Sequence, residues 1–151
     1  MIVNLLDAPL GGENDRDGFR FFDLSVGSQL GAEVLGCALY DLPRGEQLWP
    51  YHYHLGNEEW AVVVAGSPTV RTPDGERELR AGDLVAFPEG EAGAHTFLNR
   101  SGSGARIAMF STLNRPTLPV YPDSEKIGAN RRYFRIADAV DYWDGESHAT
   151  P

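Results

Sequence analysis

Eight short runs of strand-forming residues follow one another at 47–49, 51–54, 59–65, 68–72, 76–80, 84–87, 95–99 and 105–112, and a glycine or proline stands between every neighbouring pair. Strands fit between such breakers and helices of ordinary length do not. Pro73-Asp74-Gly75 marks a hairpin turn between Thr69-Val70-Arg71 and Glu76-Arg77-Glu78-Leu79, and Ser101-Gly102-Ser103-Gly104 marks another turn. Many short strands at close spacing predict an all-β sandwich or barrel.

The flanks are less regular. Ile2, Val3, Leu5 and Leu6 suggest a short pairing strand, and the polar stretch Gly11–Gly18 suggests a loop. Phe19–Val26 reads as a strand. Ala32–Leu42 reads as a stronger one, with apolar residues at both parities, so both of its faces are expected to be covered. Beyond Thr112, residues 114–130 read as a proline-containing irregular run. Ile136, Val140 and Trp143 fall at helical spacing and predict a short amphipathic C-terminal helix over 136–143. Residues 144–151 read as a frayed tail in which His148 has no function. Arg131, Arg132 and Arg135 form a basic cluster, read as a solvated face. The expected organisation is one domain: residues 1–31 pack on the barrel, 32–112 form it, and 113–151 extend it.

Bulk properties narrow the partners. A chain of 151 residues suffices for one domain with a real core. The net charge of −9 argues against nucleic acid and anionic membrane as partners, since phosphate binding needs Lys and Arg. No apolar run approaches the roughly 20 residues of a membrane helix. Met1–Leu10 contains Asp7 and no basic leader, unlike a signal peptide, so a cytoplasmic protein is expected. The single cysteine, Cys37, excludes an internal disulfide and is expected to be a buried thiol.

The chemistry concentrates in two stretches. In an extended 51–54 segment, His52 and His54 share one face while Tyr51 and Tyr53 take the other, so two imidazoles can share a metal. Glu59 opens the next strand on the same face as Ala61 and Val63, both small enough to leave space inside. The second stretch, Gly82–Asn99, contains a turn, a strand, a Pro-x-Gly turn and a strand opening on His95, whose face carries Phe97 and Asn99.

These two stretches resemble the paired motifs of the cupins. The first motif appears as Gly45, six residues, His52-x-His54, four residues, Glu59, six residues, Gly66. The second appears as Gly82, five residues, Pro88-x-Gly90, four residues, His95, three residues, Asn99. The chain has one extra residue before His52 and two before His95, both in turns, where insertions cost little. The resemblance covers about residues 32–112. It implies a double-stranded β-helix, or jelly-roll barrel, holding one divalent metal ion on His52, His54, Glu59 and His95. Glu58 competes with Glu59, and the spacing to Gly66 favours Glu59. The donor set suits Fe, Mn, Ni, Zn, Co or Cu without selecting among them.

Cupins span unrelated chemistries. The resemblance implies an enzyme acting on a small organic molecule, with an Fe(II) dioxygenase placed first and an isomerase or lyase in the same class. A non-catalytic binding or sensor module is the alternative, and a seed-storage-like structural protein ranks third. No catalytic acid or base beyond the metal is identifiable. Ala61, Val63, Phe97 and Asn99 are the expected pocket residues, with Phe87 adding apolar wall. The outward parity of Trp60, Val62 and Val64 suggests that another sheet or a partner covers that face, and a homodimer is expected.

Overall fold

The computed structural model describes residues 1–147, so His148 lies outside the described residues. Among the described residues, thirteen strands form three antiparallel sheets. They are β1 (Gly12–Arg16), β2 (Phe19–Leu24), β3 (Leu35–Leu42), β4 (Tyr53–Leu55), β5 (Glu59–Ala65), β6 (Thr69–Thr72), β7 (Gly75–Glu78), β8 (Leu84–Phe87), β9 (Thr96–Leu98), β10 (Ala105–Thr112), β11 (Leu118–Tyr121), β12 (Lys126–Ala129) and β13 (Arg132–Arg135). The sheet orders are β1-β2-β3-β10-β5-β8, β13-β12-β11-β4 and β7-β6-β9. One short helix, α1 (Val26–Leu30), ends at Gly31. The architecture is the expected all-β jelly-roll barrel. Among the described residues, no helix is long and apolar enough to cross a membrane.

Strand alternation builds two cores, one on each face of the large sheet. Leu42, Ala61, Val63, Phe87, Phe97, Ile107 and Met109 fill the space between the sheets. On the outer face, Leu39 and Ala108 pack with Ala8 and Val26, and Cys37 joins them. In β3, Tyr40 and Leu42 therefore face inward and Cys37 and Leu39 outward, as the apolar residues at both parities predict.

Four expectations are corrected. The strand expected at 2–6 is an arm that lays Val3 and Leu5 on the outer core. The polar stretch after it is β1, which pairs with β2 in register from Gly12↔Asp23 to Arg16↔Phe19. A strand at the sheet edge meets water on its free side, so polar residues suit it. The run expected to be irregular contains β11 and β12. Pro119 is accommodated because it stands opposite His54, past the last β11–β12 pair at Val120↔Ile127. Finally, the helix expected over 136–143 is a single 3-10 turn, Ile136–Asp138. Val140 and Trp143 are exposed, and an isolated helix of two turns does not hold without a surface to pack on.

Candidate metal centre

Four side chains converge where the three sheets meet. His52 lies just before β4, His54 within it, Glu59 at the start of β5 and His95 just before β9. The backbones of His52 and His95 form an antiparallel bridge, closed by His52 N–H to His95 O (3.1 Å) and His95 N–H to His52 O (2.8 Å). Residues directly opposite in such a pair project to the same side. Both rings therefore enter the barrel together, with centroids 5.0 Å apart, and His54 stands 5.0 Å from His52.

Each imidazole is anchored through Nδ1. His52 Nδ1–H donates to the Pro50 carbonyl (2.9 Å) and His95 Nδ1–H to the Gly93 carbonyl (2.9 Å). A carbonyl only accepts, so these contacts assign the proton to Nδ1 and leave the Nε2 lone pair free. His54 Nδ1 meets the Thr117 hydroxyl at 3.2 Å. Outer partners of this kind fix ring orientation at metal sites. The free Nε2 atoms of His54 and His95 lie 3.4 and 3.5 Å from Glu59 Oε2. Ligand atoms of His52, His54 and Glu59 lie within 4.8 Å of one another.

The electrostatics are those of donors without a cation. Burial, and then His95 and His54, drive the His52 pKa down to about 3. Burial drives His95 down to about 4 against the opposing pull of the Gly93 carbonyl, and it lowers His54 as well. Burial raises Glu59 to about 7. Glu59 Oε2 and His95 Nε2 are buried with no hydrogen-bond partner. Buried polar atoms rarely stay orphaned, and aiming lone pairs at one another is costly. Ligand atoms about 2.1 Å from one ion stand about 3.0–3.4 Å apart in octahedral or tetrahedral arrangement, close to the 3.4 and 3.5 Å that separate Glu59 Oε2 from the Nε2 atoms of His54 and His95, while His95 stands outside the trio His52, His54 and Glu59 whose ligand atoms all lie within 4.8 Å of one another. The donor set thus fits a divalent metal ion.

The surroundings divide into a closed and an open side. His95 is 1% exposed and His52 8%, whereas the side chains of His54 and Glu59 are 20% and 17% exposed, so access lies on their side. Phe87 stacks on His95 at 3.7 Å, and Phe97 meets the same ring edge-on at 6.3 Å. Ala61 and Val63 are fully buried beneath Glu59 on its strand face. Glu58 is exposed. Asn99 is committed elsewhere: its amide donates to Leu42 O (2.9 Å) and Ser103 O (2.8 Å), and its oxygen accepts from Ser101 N–H (3.1 Å). It clamps the turn after β9 to β3 and has no donor left to orient a ligand.

Sequence reasoning missed three contributors. Thr117 holds His54, Tyr121 stacks on His52 at 5.7 Å, and Trp49 stands edge-on to His52 (6.0 Å) and His95 (6.4 Å) with its buried Nε1–H unpartnered. Thr117 and Tyr121 fall in the run read as irregular. The short apolar run Leu118-Pro119-Val120-Tyr121 was the available signal for that strand.

The cupin domain family matches residues 38–111. No curated protein matches the chain. Among solved structures, a sugar phosphate isomerase of the cupin superfamily from Silicibacter pomeroyi is similar at 22% identity, covering 95% of this chain and 98% of its own, with a TM-score of 0.79. A protein from Acidithiobacillus ferrooxidans, provisionally a sugar phosphate isomerase, is similar at 23% identity over 82% of this chain and 81% of its own, with a TM-score of 0.74. The polyketide cyclase RemF from Streptomyces resistomycificus shares 20% identity over 77% of this chain and 81% of its own, with a TM-score of 0.60. The family match runs past both histidine stretches, and the strands close the jelly roll that the paired motifs imply; residues 38–111 of this chain form a cupin domain.

Proposed function

We propose that the chain is a divalent-metal-dependent enzyme acting on a small oxygen-bearing organic molecule, with His52, His54, Glu59 and His95 as the metal ligands. The observation that carries this reading is the convergence of the Nε2 atoms of His54 and His95 on Glu59 Oε2, where Glu59 Oε2 and His95 Nε2 are buried without a hydrogen-bond partner. The protein's own part is positioning. The carbonyls of Pro50 and Gly93 and the Thr117 hydroxyl hold the three rings, while Phe87, Trp49 and Tyr121 keep water from the His52 and His95 side. Trp49 stands edge-on to the His52 and His95 rings, and its buried N–H has no partner. A divalent ion at this site supplies Lewis acidity toward a ligand oxygen or, as iron, an electron source for dioxygen.

Two chemistries fit these donors: an Fe(II)-dependent dioxygenase, and an isomerase or lyase working through an enolate. The names of the two structures with the highest TM-scores above support the second. Metal analysis of protein purified without chelator or a histidine tag tests the reading. One equivalent of metal is expected in the wild type, with strong loss in Glu59→Gln and retention in Glu58→Gln. A wild type that holds no metal and takes none up on titration overturns it. Oxygen uptake by the iron-loaded protein on catechols, diketones and thiols separates the two chemistries. Ligand binding without turnover favours the sensor alternative.

A further inference from the structure

We propose that the cavity between the segment leading into β11 and the β12–β13 hairpin binds the phosphate group of a small molecule. The cavity measures about 730 Å³, within the range of small-molecule sites. Arg115 reaches it from one segment and Arg131 and Arg132 from the other. No Asp or Glu lines it, although the chain carries 22 acidic residues against 13 basic ones. Elsewhere the acidic excess finds its arginines: Arg71 forks onto Asp123, Arg100 onto Glu76 and Arg106 onto Asp41. Among the described residues, no carboxylate lies within ion-pair reach of Arg115, Arg131 or Arg132. Arg115, Arg131 and Arg132 thus line one hollow with no carboxylate among its walls.

The backbone is arranged to present them. Ala129 pairs with Arg132, so Asn130 and Arg131 form a two-residue turn, and both have positive φ (48° and 62°). Asn-Gly is the favoured pair for such a turn, because glycine takes the second position without strain. An arginine there bears a backbone cost in order to place a cation. Room is kept at Gly128, where a Cβ would lie 2.9 Å from Pro119 and 3.1 Å from Tyr133, both wall residues.

The chemistry of the anion follows from charge. Planar guanidinium forks match phosphate oxygens in pairs, and three cations suit a dianion better than a single carboxylate. A net charge of −9 repels polyanions, so the phosphate is carried on a small molecule. Thr117 borders the cavity and touches His54, so the site adjoins the metal ligands from outside. The proposal stands whether or not metal is bound.

Amide NMR titration of the full chain with inorganic phosphate, glycerol phosphate and acetate is the test. Saturable shifts confined to 115–119 and 128–133 are expected with both phosphates, tighter for glycerol phosphate, and acetate is expected to bind about tenfold more weakly. Arg131→Gly removes the cation and relieves the turn, so that variant folds. Combined with Arg132→Ser, it is expected to weaken phosphate binding by about tenfold or more. The absence of saturation in the wild type, an equal response to acetate, or unchanged binding in the double variant overturns the proposal. Tighter binding of inorganic phosphate than of glycerol phosphate overturns the small-molecule carrier and assigns the site to the free ion.

Discussion

Glu59 holds the conflict between folding and binding at this site. Burial lifts its pKa from 4.5 to about 7. A carboxylate raised in this way contributes stability that is fully present below its unfolded value of about 4.5 and is lost as the pH rises through 7. The metal-free protein at pH 8 therefore carries the whole cost of an uncompensated charge, at most about 3 kcal/mol at 1.36 kcal/mol per pKa unit. Glu59→Gln removes that charge. The metal-free variant is expected to be more stable than the metal-free wild type by up to about 3 kcal/mol at pH 8, and by less than about 1 kcal/mol at pH 5. Thermal melts of the two chelator-treated proteins at both pH values measure this. His52 and His95, lowered to about 3 and about 4, contribute stability present above 6.5 and lost as the pH falls through those values. Both proteins share that loss, so it cancels in the comparison. An equal gain at both pH values would show that Glu59 does not titrate as its burial requires. Glu58 and Glu59 illustrate what the residue pattern could resolve. Spacing to Gly66 pointed to Glu59, and the fold buries that residue beside two imidazoles while leaving its neighbour exposed.

At the scale of elements, the legible strands were those whose apolar residues meet a core. β5, β8 and β10 have the bounds read from sequence, because each carries inward residues such as Val63, Phe87 and Ile107. The strands that were missed lack this signature. β1 is polar because it is an edge, and β11 hides behind Pro119. Missing β11 also hid Thr117 and Tyr121, since a side chain's position in a site is unreadable until its strand is known. The two residues added before His95 have become structural. They fall in the 3-10 turn Glu91–Gly93, whose last carbonyl accepts the His95 Nδ1 proton. Gly93 has no room for a side chain: a Cβ there would lie 1.8 Å from the Pro88 carbonyl oxygen. Gly93→Ala must displace this turn, so a loss of about 1–3 kcal/mol in stability is expected, of the size of a strained backbone position. Metal affinity is expected to fall about 10- to 100-fold, as when an outer partner of a ligating histidine is lost. Denaturant melts and competitive metal titration read the two effects. Full metal affinity in a destabilised variant would separate the turn from the site.

For the whole molecule, the outer face of the large sheet is only half covered. The N-terminal arm and α1 close the part around Leu39 and Ala108. Beside it, Trp60, Leu84 and Leu35 remain 45%, 57% and 51% exposed, on strands that hydrogen-bond into the same sheet. Exposed apolar residues in one contiguous strip are costly in water and mark contact surfaces. The strip continues an existing apolar layer, and the acidic chain offers no charge pattern suited to a nucleic acid or an anionic membrane. A second copy meeting the strip about a two-fold axis would bury the same residues on both chains. A dimer at micromolar concentration is therefore expected on gel filtration with light scattering, with about 1,200–2,000 Å² buried if the pair is of standard size. Trp60→Glu combined with Leu84→Lys changes only side chains on this outward face. It is expected to give a monomer that keeps its metal, because Glu59, Ala61 and Val63 on the opposite face of β5 are untouched. A wild type that is monomeric at these concentrations, or a dimer that survives both substitutions, places the contact elsewhere. Loss of metal together with dimerisation would instead show that the two faces of β5 are coupled.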